Sequence, residues 1–206
     1  MLSPGIKAHW QNVYSTKSHS EVSWTQEIPN PSFALIHSLG VPKYAPIIDI
    51  GGGESRLADF LLNDEYSDIS VLDISEKAIE NTQKRLGKKA ENVKWIVSDI
   101  TEFNPDTQYA LWHDRATFHF LTAPEQIARY VAIASEYVTH FLTIGVFSEN
   151  GPDRCSGLSV KRYSEEMLED VFSKHFRKIR CIAHDHITPF NTTQNFIFCC
   201  FQRKTV

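Results

Sequence analysis

Residues 47–55 read Ile47-Ile48-Asp49-Ile50-Gly51-Gly52-Gly53-Glu54-Ser55. A short apolar run carries one acid, three glycines follow, and Leu57, Phe60 and Leu61 then recur at helical spacing. The order predicts a buried parallel strand whose C-terminal turn leads straight into a helix. Two readings of the glycines are open. They supply the dihedrals of a tight strand-to-helix turn, or they let backbone N–H groups approach a nucleotide-like ligand. One glycine suffices for a turn, so three favour the ligand.

Downstream of this stretch, strand and helix patterns alternate. Strands are predicted at residues 47–50, 68–73, 93–99, 109–114 and 141–147. Between them lie a helix capped by Ser55, a helix capped by Ser75 and closed by Gly87, and a helix entered at Pro124 that carries Ile127, Val131, Ala134 and Val138. A loop with Asn104-Pro105-Asp106 precedes the fourth strand. A polar loop with Gly151-Pro152 and Gly157 leads to a helix from Ser164 bearing Met167, Leu168, Val171 and Phe172. Residues 176–187 and 195–202 are strand patterns with only a loop between them, too little for a helical crossover, so they pair as an antiparallel hairpin.

Upstream, Ile6, Trp10, Val13 and Tyr14 follow helical spacing, residues 17–21 are polar, and Phe33, Ile36 and Leu39 form a stripe that ends at Gly40. The expected architecture is one α/β domain over residues 1–206. It has a helical N-terminal cap (1–40) and a cofactor-binding core (41–206) with a seven-stranded, mostly parallel sheet ending in an antiparallel hairpin.

Composition narrows the setting. The chain has 206 residues, 42% hydrophobic and 22% charged, with a net charge of -4. That is ordinary for a globular chain and lacks the basic footprint of nucleic-acid binding. The densest basic run, residues 84–89, falls at a predicted helix C-terminus, where the helix dipole favours cations. Cys155, Cys181, Cys199 and Cys200 form no C-x-x-C pair, and Cys199 and Cys200 face opposite ways on a strand, so reduced thiols are expected. The first residues lack the profile of a signal peptide and no apolar run reaches membrane-spanning length. A cytoplasmic chain away from membranes is expected, and its oligomeric state is left open.

Acidic or glycine-rich positions fall at the ends of four successive strands: Asp49 with Gly51, Gly52 and Gly53; Asp73; Asp99; and His113-Asp114. In an open α/β sheet that edge binds ligands. Asp73 lies twenty positions after Gly53, the distance expected of an acid that accepts from ribose hydroxyls. The third glycine position of a dinucleotide fingerprint is Arg56, whose bulk opposes a tightly packed pyrophosphate. An NAD(P)-binding oxidoreductase is therefore the secondary enzyme reading, and a non-catalytic cofactor-binding scaffold the non-enzyme one.

The run Asp49-Ile50-Gly51-Gly52-Gly53-Glu54-Ser55 resembles the first motif, D-x-G-x-G-x-G, of class I S-adenosylmethionine-dependent methyltransferases, with Ser55 in place of the last glycine. Asp73, followed by Ile74, matches that family's ribose-binding acid. Asp99, followed by Ile100, matches its adenine-proximal acid, and the terminal hairpin is similar to the family's own. His9-Trp10, Tyr14 and Val22-Ser23-Trp24 resemble small bacterial-type members, with a looser likeness to protein-lysine methyltransferases. The resemblance implies S-adenosylmethionine as cofactor, with Tyr14 and Trp24 closing over it and His113 beside it. Trp10 is open between cofactor contact and a hydrophobic staple.

The resemblance also places residues 112–120 (Trp-His-Asp-Arg-Ala-Thr-Phe-His-Phe) by the methyl group and its acceptor. Asp114, Arg115 and His119 are the catalytic candidates. Asp114 and Arg115 alternatively pair with each other, and His119, by its ordinary pKa, suits a general base. Arg154, Arg162 and Tyr163 in the loop after strand five are candidates for an anionic acceptor or a docked protein chain. Cys155 lacks any feature that lowers a thiol pKa. His184-Asp185-His186 has the composition of a metal cluster but no third ligand, so strand-end polarity is expected and no metal. No Asn/Asp-Pro-Pro-Tyr/Phe follows strand four, which argues against a nucleic-acid base as acceptor. A small molecule or a protein side chain is the expected acceptor.

Overall fold

The computed structural model describes residues 4–205; the outermost residues of the expected cap and domain, 1–3 and 206, lie outside the described residues. The elements in chain order are α1 (Pro4–Thr16), α2 (Ser32–Ser38), β1 (Ile47–Ile50), α3 (Leu57–Asn63), β2 (Ile69–Asp73), α4 (Glu76–Leu86), β3 (Val93–Val97) and β4 (Tyr109–Arg115). They continue with α5 (Pro124–Tyr137), β5 (Val138–Phe147), β6 (Arg154–Cys155), β7 (Leu158–Ser159), α6 (Glu165–Phe172), β8 (Phe176–Ile187) and β9 (Thr193–Arg203). Seven strands form one sheet in the order β3-β2-β1-β4-β5-β9-β8. β1 to β5 pair in parallel, and β9 runs antiparallel to both β5 and β8.

The helix starts follow their local chemistry. Ser55 Oγ accepts from Leu57 N, Ser75 Oγ from Ala78 N and Ser164 Oγ from Met167 N, each bond satisfying a donor the helix leaves open. Pro124 sits at the first turn of α5, where its missing N–H costs nothing.

Strand alternation builds two cores. Ile48 and Ile50 join Trp112, Leu142 and Ile144 against Tyr130, Ile133 and Ala134 of α5 and Leu168 and Phe172 of α6. Ile47, Val71 and Leu111 face the other way, onto Ile36 of α2 and Leu57 and Leu61 of α3. After β1 the chain winds outward through β2 and β3, then returns to β4 on the far side of β1. The carboxyl ends of β1 and β4 therefore diverge and open a crevice.

Among the differences from expectation, β3 stops at Val97, so Asp99 lies in the turn beyond it. β5 begins at Val138, three residues before the predicted start, because α5 ends at Tyr137 and its last apolar position opens the strand. The loop after β5 folds into the small β6–β7 hairpin. Cys181 and Cys199 form a disulfide, which corrects the expectation of reduced thiols. The register of β8 on β9 sets these two directly opposite, with Cα atoms 4.1 Å apart, after an irregularity between Lys178 and Arg180 that no composition pattern announces. Cys155 and Cys200 are free and buried.

Gly51 has φ +67°, and a Cβ there would lie 1.7 Å from Thr117 Oγ1. Gly40, at φ +64° after α2, has open space around it. In a urea titration Gly40→Ala should lose about 1–2 kcal/mol from the left-handed backbone alone. Gly51→Ala should lose clearly more; equal losses would contradict the steric role of the β1 turn.

Candidate functional site

A cavity of about 390 Å³ occupies the crevice, within the range of roughly 300–1,000 Å³ usual for small-molecule sites. Its floor is the ends of β1, β2 and β4, and its roof is α1 with the segment that follows. The roof is tied down at several points. Gln11 Oε1 accepts from Ser75 Oγ (3.0 Å) and Lys77 N (3.3 Å), and Asn81 Nδ2 donates to Tyr14 O at 3.2 Å. Arg115 Nη1 donates to Trp24 O at 3.0 Å, Gln194 Nε2 donates to Ser23 Oγ at 3.2 Å, and His186 Nε2 bonds Ser23 O at 2.7 Å.

Parallel register sets Asp49 against His113. Their side chains bond at 2.7 Å, His113 Nδ1 donating to Asp49 Oδ1. Asp49 Oδ2 and His113 Nε2 stay buried with no partner among the described residues. A neutral His113 that donates from Nδ1 leaves Nε2, like Asp49 Oδ2, as an acceptor. Two unsatisfied acceptors in one cavity call for a donor, best a cationic one. Asp73 Oδ2 accepts from Gly53 N (3.0 Å) and Oδ1 from Ser75 N (2.8 Å), which fixes the carboxylate at the cavity wall with lone pairs to spare. Burial raises its pKa to about 6, outweighing the two backbone donors that lower it.

Above the floor stand four aromatic rings. Trp10 lies 6.1 Å from Tyr14, 5.6 Å from Trp24 and 5.2 Å from Phe120, ring centre to ring centre. All four line the cavity. Burial, with the charges of Asp73 and Glu54, holds the Tyr14 phenol well above its usual pKa, so it stays neutral.

Of the expected cofactor residues, Tyr14, Trp24, Asp49, Gly51, Gly52, Ser55 and Asp73 line the cavity, as do Ile74, Ile100 and His113. Gly53 and Asp99 do not. Gly53 stands behind the turn, its N–H committed to Asp73. Asp99 Oδ1 accepts from Thr101 N and Oγ1, both at 2.9 Å, closing its own turn, while Ser98 and Ile100 form the wall.

Alternation along β4 separates the catalytic candidates. His113 and Arg115 face the cavity; Asp114 faces α5, accepting from Tyr130 Oη (2.8 Å), Thr117 N (3.0 Å) and Phe118 N (3.1 Å). The alternative Asp114–Arg115 pair is therefore not formed. His119 does not reach the cavity either. It is fully buried, with its ring against Phe147, and its Nδ1 accepts from Phe147 N at 3.3 Å. Burial, with Arg115 nearby, pulls its pKa down to about 3, so at neutral pH it is an uncharged core residue.

Three acceptor-loop candidates also lie elsewhere. Arg154 and Arg162 are exposed and bonded to carbonyls of their own loop, and Tyr163 is buried against Phe118. From that loop Cys155, Leu158 and Ser159 line the cavity, because the β6–β7 hairpin folds them inward. Burial raises the Cys155 thiol to about 11. The sequence reading places Phe120 in the run beside the acceptor without giving it a role, and it misses Gln11 as the anchor of α1. The aromatic run at 118–120 was a signal for the first; nothing local marks the second. Among the described residues no three His, Cys, Asp or Glu side chains form a group suited to a metal ion.

Part of the chain is similar to known proteins. Residues 47–138 match the model of the family described as a methyltransferase domain. A malonyl-[acyl-carrier protein] O-methyltransferase of Ilyobacter polytropus is 37% identical over 76 residues, 36% of this chain and 29% of that protein. The chain spans less than a third of the length of the curated relatives it matches. A solved structure from work on converting a disulfide bond into a thioacetal group in echinomycin biosynthesis superposes with a TM-score of 0.78 at 15% identity, covering 96% of this chain and 93% of that one. The Burkholderia thailandensis 1,6-didemethyltoxoflavin-N1-methyltransferase, solved with S-adenosylhomocysteine, gives 0.71 at 18% identity, covering 97% and 88%. The chain has the fold of class I S-adenosylmethionine-dependent methyltransferases.

The buried state of His119 has a pH signature. Its folded pKa lies below the unfolded value near 6.5, so its contribution to stability is present above pH 6.5 and lost as pH falls toward 3. Asp73 and Asp114, both raised to about 6, act in the opposite sense between pH 6 and 3.8. Comparing wild type with His119→Phe cancels them. From pH 7.5 to 5.5 wild type should lose about 1.4 kcal/mol relative to the variant in urea unfolding; a difference independent of pH would contradict the neutral, buried assignment.

Proposed function

We propose that this chain is an S-adenosylmethionine-dependent methyltransferase acting on a small molecule or a protein side chain. The observation that carries the reading is the pair of buried, unpartnered acceptors, Asp49 Oδ2 and His113 Nε2, at the end of the glycine turn. They suit the ammonium group of a methionine moiety. Asp73 would accept from the ribose hydroxyls, with Ile74 and Ile100 flanking the adenine. Trp10, Tyr14 and Trp24 offer aromatic faces, which attract a sulfonium by about 0.5–2 kcal/mol. Arg56, paired with Glu27 at 3.0 Å, fills the place a dinucleotide fold keeps for glycine, which supports this reading over an NAD(P) enzyme.

When bound, S-adenosylmethionine supplies a methyl group already activated on sulfur. What remains for the chain is to hold the reactants in line and keep water out, where orientation accounts for much of the rate. The roof of aromatic rings does the excluding, and its ties to α4, β4 and the β8–β9 hairpin hold it in place. Of the three candidates, Arg115 alone is positioned to touch an acceptor. His119 is assigned no proton transfer, since its acceptor nitrogen is taken by Phe147 N–H.

Cap and core then act as one domain. A negative net charge supports acceptors other than nucleic acid, and among the described residues no helix is long and apolar enough to cross a membrane. We place the chain in the cytoplasm; the Cys181–Cys199 disulfide is the feature that pulls the other way. Calorimetric titration should give 1:1 binding of S-adenosylhomocysteine and none of NAD. Asp49→Asn should weaken that binding by about 1.5–3 kcal/mol, roughly 10- to 150-fold. Binding of NAD alone, or unchanged affinity in the variant, would overturn the assignment; cofactor binding without methyl transfer to any fraction of a cell extract would favour a scaffold.

A further inference from the structure

Two arginines line the cavity among the described residues. Arg56 is ion-paired with Glu27. Arg115 has no carboxylate partner among the described residues, and its Nη1 is engaged by Trp24 O. Its Nε and Nη2 are buried and unpartnered. These two N–H groups form one edge of the guanidinium and point the same way, the fork that grips a planar carboxylate through two parallel hydrogen bonds.

Asp49, Glu54 and Asp73 also line the cavity, but among the described residues none is ion-paired with Arg115. The guanidinium rests on the Phe196 ring, Cζ 4.9 Å from its centre. Cys155, in electrostatic reach, stays a neutral thiol because burial raises it to about 11. Burial and Arg115 itself pull His119 down to about 3 and His186 to about 4, so neither adds charge at neutral pH. Asp49 is within electrostatic reach but is bonded to His113. One buried guanidinium with an unpartnered bidentate edge is unfavourable until a monoanion completes it.

We propose that Arg115 is the seat of the methyl acceptor's carboxylate, holding it through Nε and Nη2 beside Trp24 and Cys155. The acceptor is then a small monocarboxylate, since one guanidinium without an ion-pair partner among the described residues suits a single carboxylate and the 390 Å³ cavity must also hold the cofactor. The carboxylate is a recognition handle, and the interaction adds no bond-making step. This inference rests on the methyltransferase reading.

The test is titration of protein saturated with S-adenosylhomocysteine, using butyrate, benzoate and phenylacetate against butyramide, benzamide and phenylacetamide, with inorganic phosphate as a further probe. At least one carboxylate should bind ten or more times tighter than its amide and tighter than phosphate. Arg115→Lys, which keeps the charge but loses the fork, should reduce that preference about tenfold while still unfolding cooperatively. Equal binding of acids and amides, no binding of any acid, tighter binding of phosphate, or an unaltered preference in Arg115→Lys would each overturn the proposal. If that variant fails to fold, the acid-to-amide ratio in wild type decides. Failure of wild type to bind S-adenosylhomocysteine would instead remove the methyltransferase reading, and the same acids titrated without it would still report on the fork.

Discussion

One hydrogen bond across the seam between β1 and β4, from His113 Nδ1 to Asp49 Oδ1, sets the chemistry of the cavity. It exists because the parallel register places the two residues side by side at the point where the strand order reverses. Each side chain is nearly inaccessible to water, and each uses only one of its two polar atoms. An unsatisfied buried polar atom costs about 1–3 kcal/mol. Two together prime the crevice for a hydrogen-bond donor.

The rest of the site hangs on two simple periodicities. Along β4, successive side chains change face, so Trp112 and Asp114 serve the α5 core while His113 and Arg115 serve the cavity. Asp114 thereby becomes the anchor of the turn at residues 117–118 and of the Tyr130 hydroxyl. In the roof, helical spacing brings Trp10 and Tyr14 onto one face of α1, where Trp24 meets both. At the carboxyl end of β4 one side thus serves the core against α5 and the other the site.

Much of this was legible in the amino-acid sequence because it is written in local patterns. The strand and helix alternation, the serine caps and the antiparallel end follow from spacing and chain length alone. The glycine turn announced its place at the sheet edge. What escaped depends on register or distant contacts. An acid at a strand end reads the same whether it faces a cavity, as Asp73 does, or closes its own turn, as Asp99 does. His119 looked like a base because its type titrates near neutrality; that Phe147 and Arg115 surround it is a tertiary fact. The Cys181–Cys199 bridge hinges on a register shift, and the inward fold of Cys155 on a hairpin two residues long per strand.

A ligand that completes the turn of β1 steadies the roof in the same event. Hydrogen–deuterium exchange with and without S-adenosylhomocysteine tests this most directly. Amides of residues 49–55 and of the roof, residues 4–26, should slow together on addition of the ligand, with the β8–β9 hairpin little changed outside its contact with Ser23. No slowing at the turn, or slowing there with the roof unaffected, would contradict the claim.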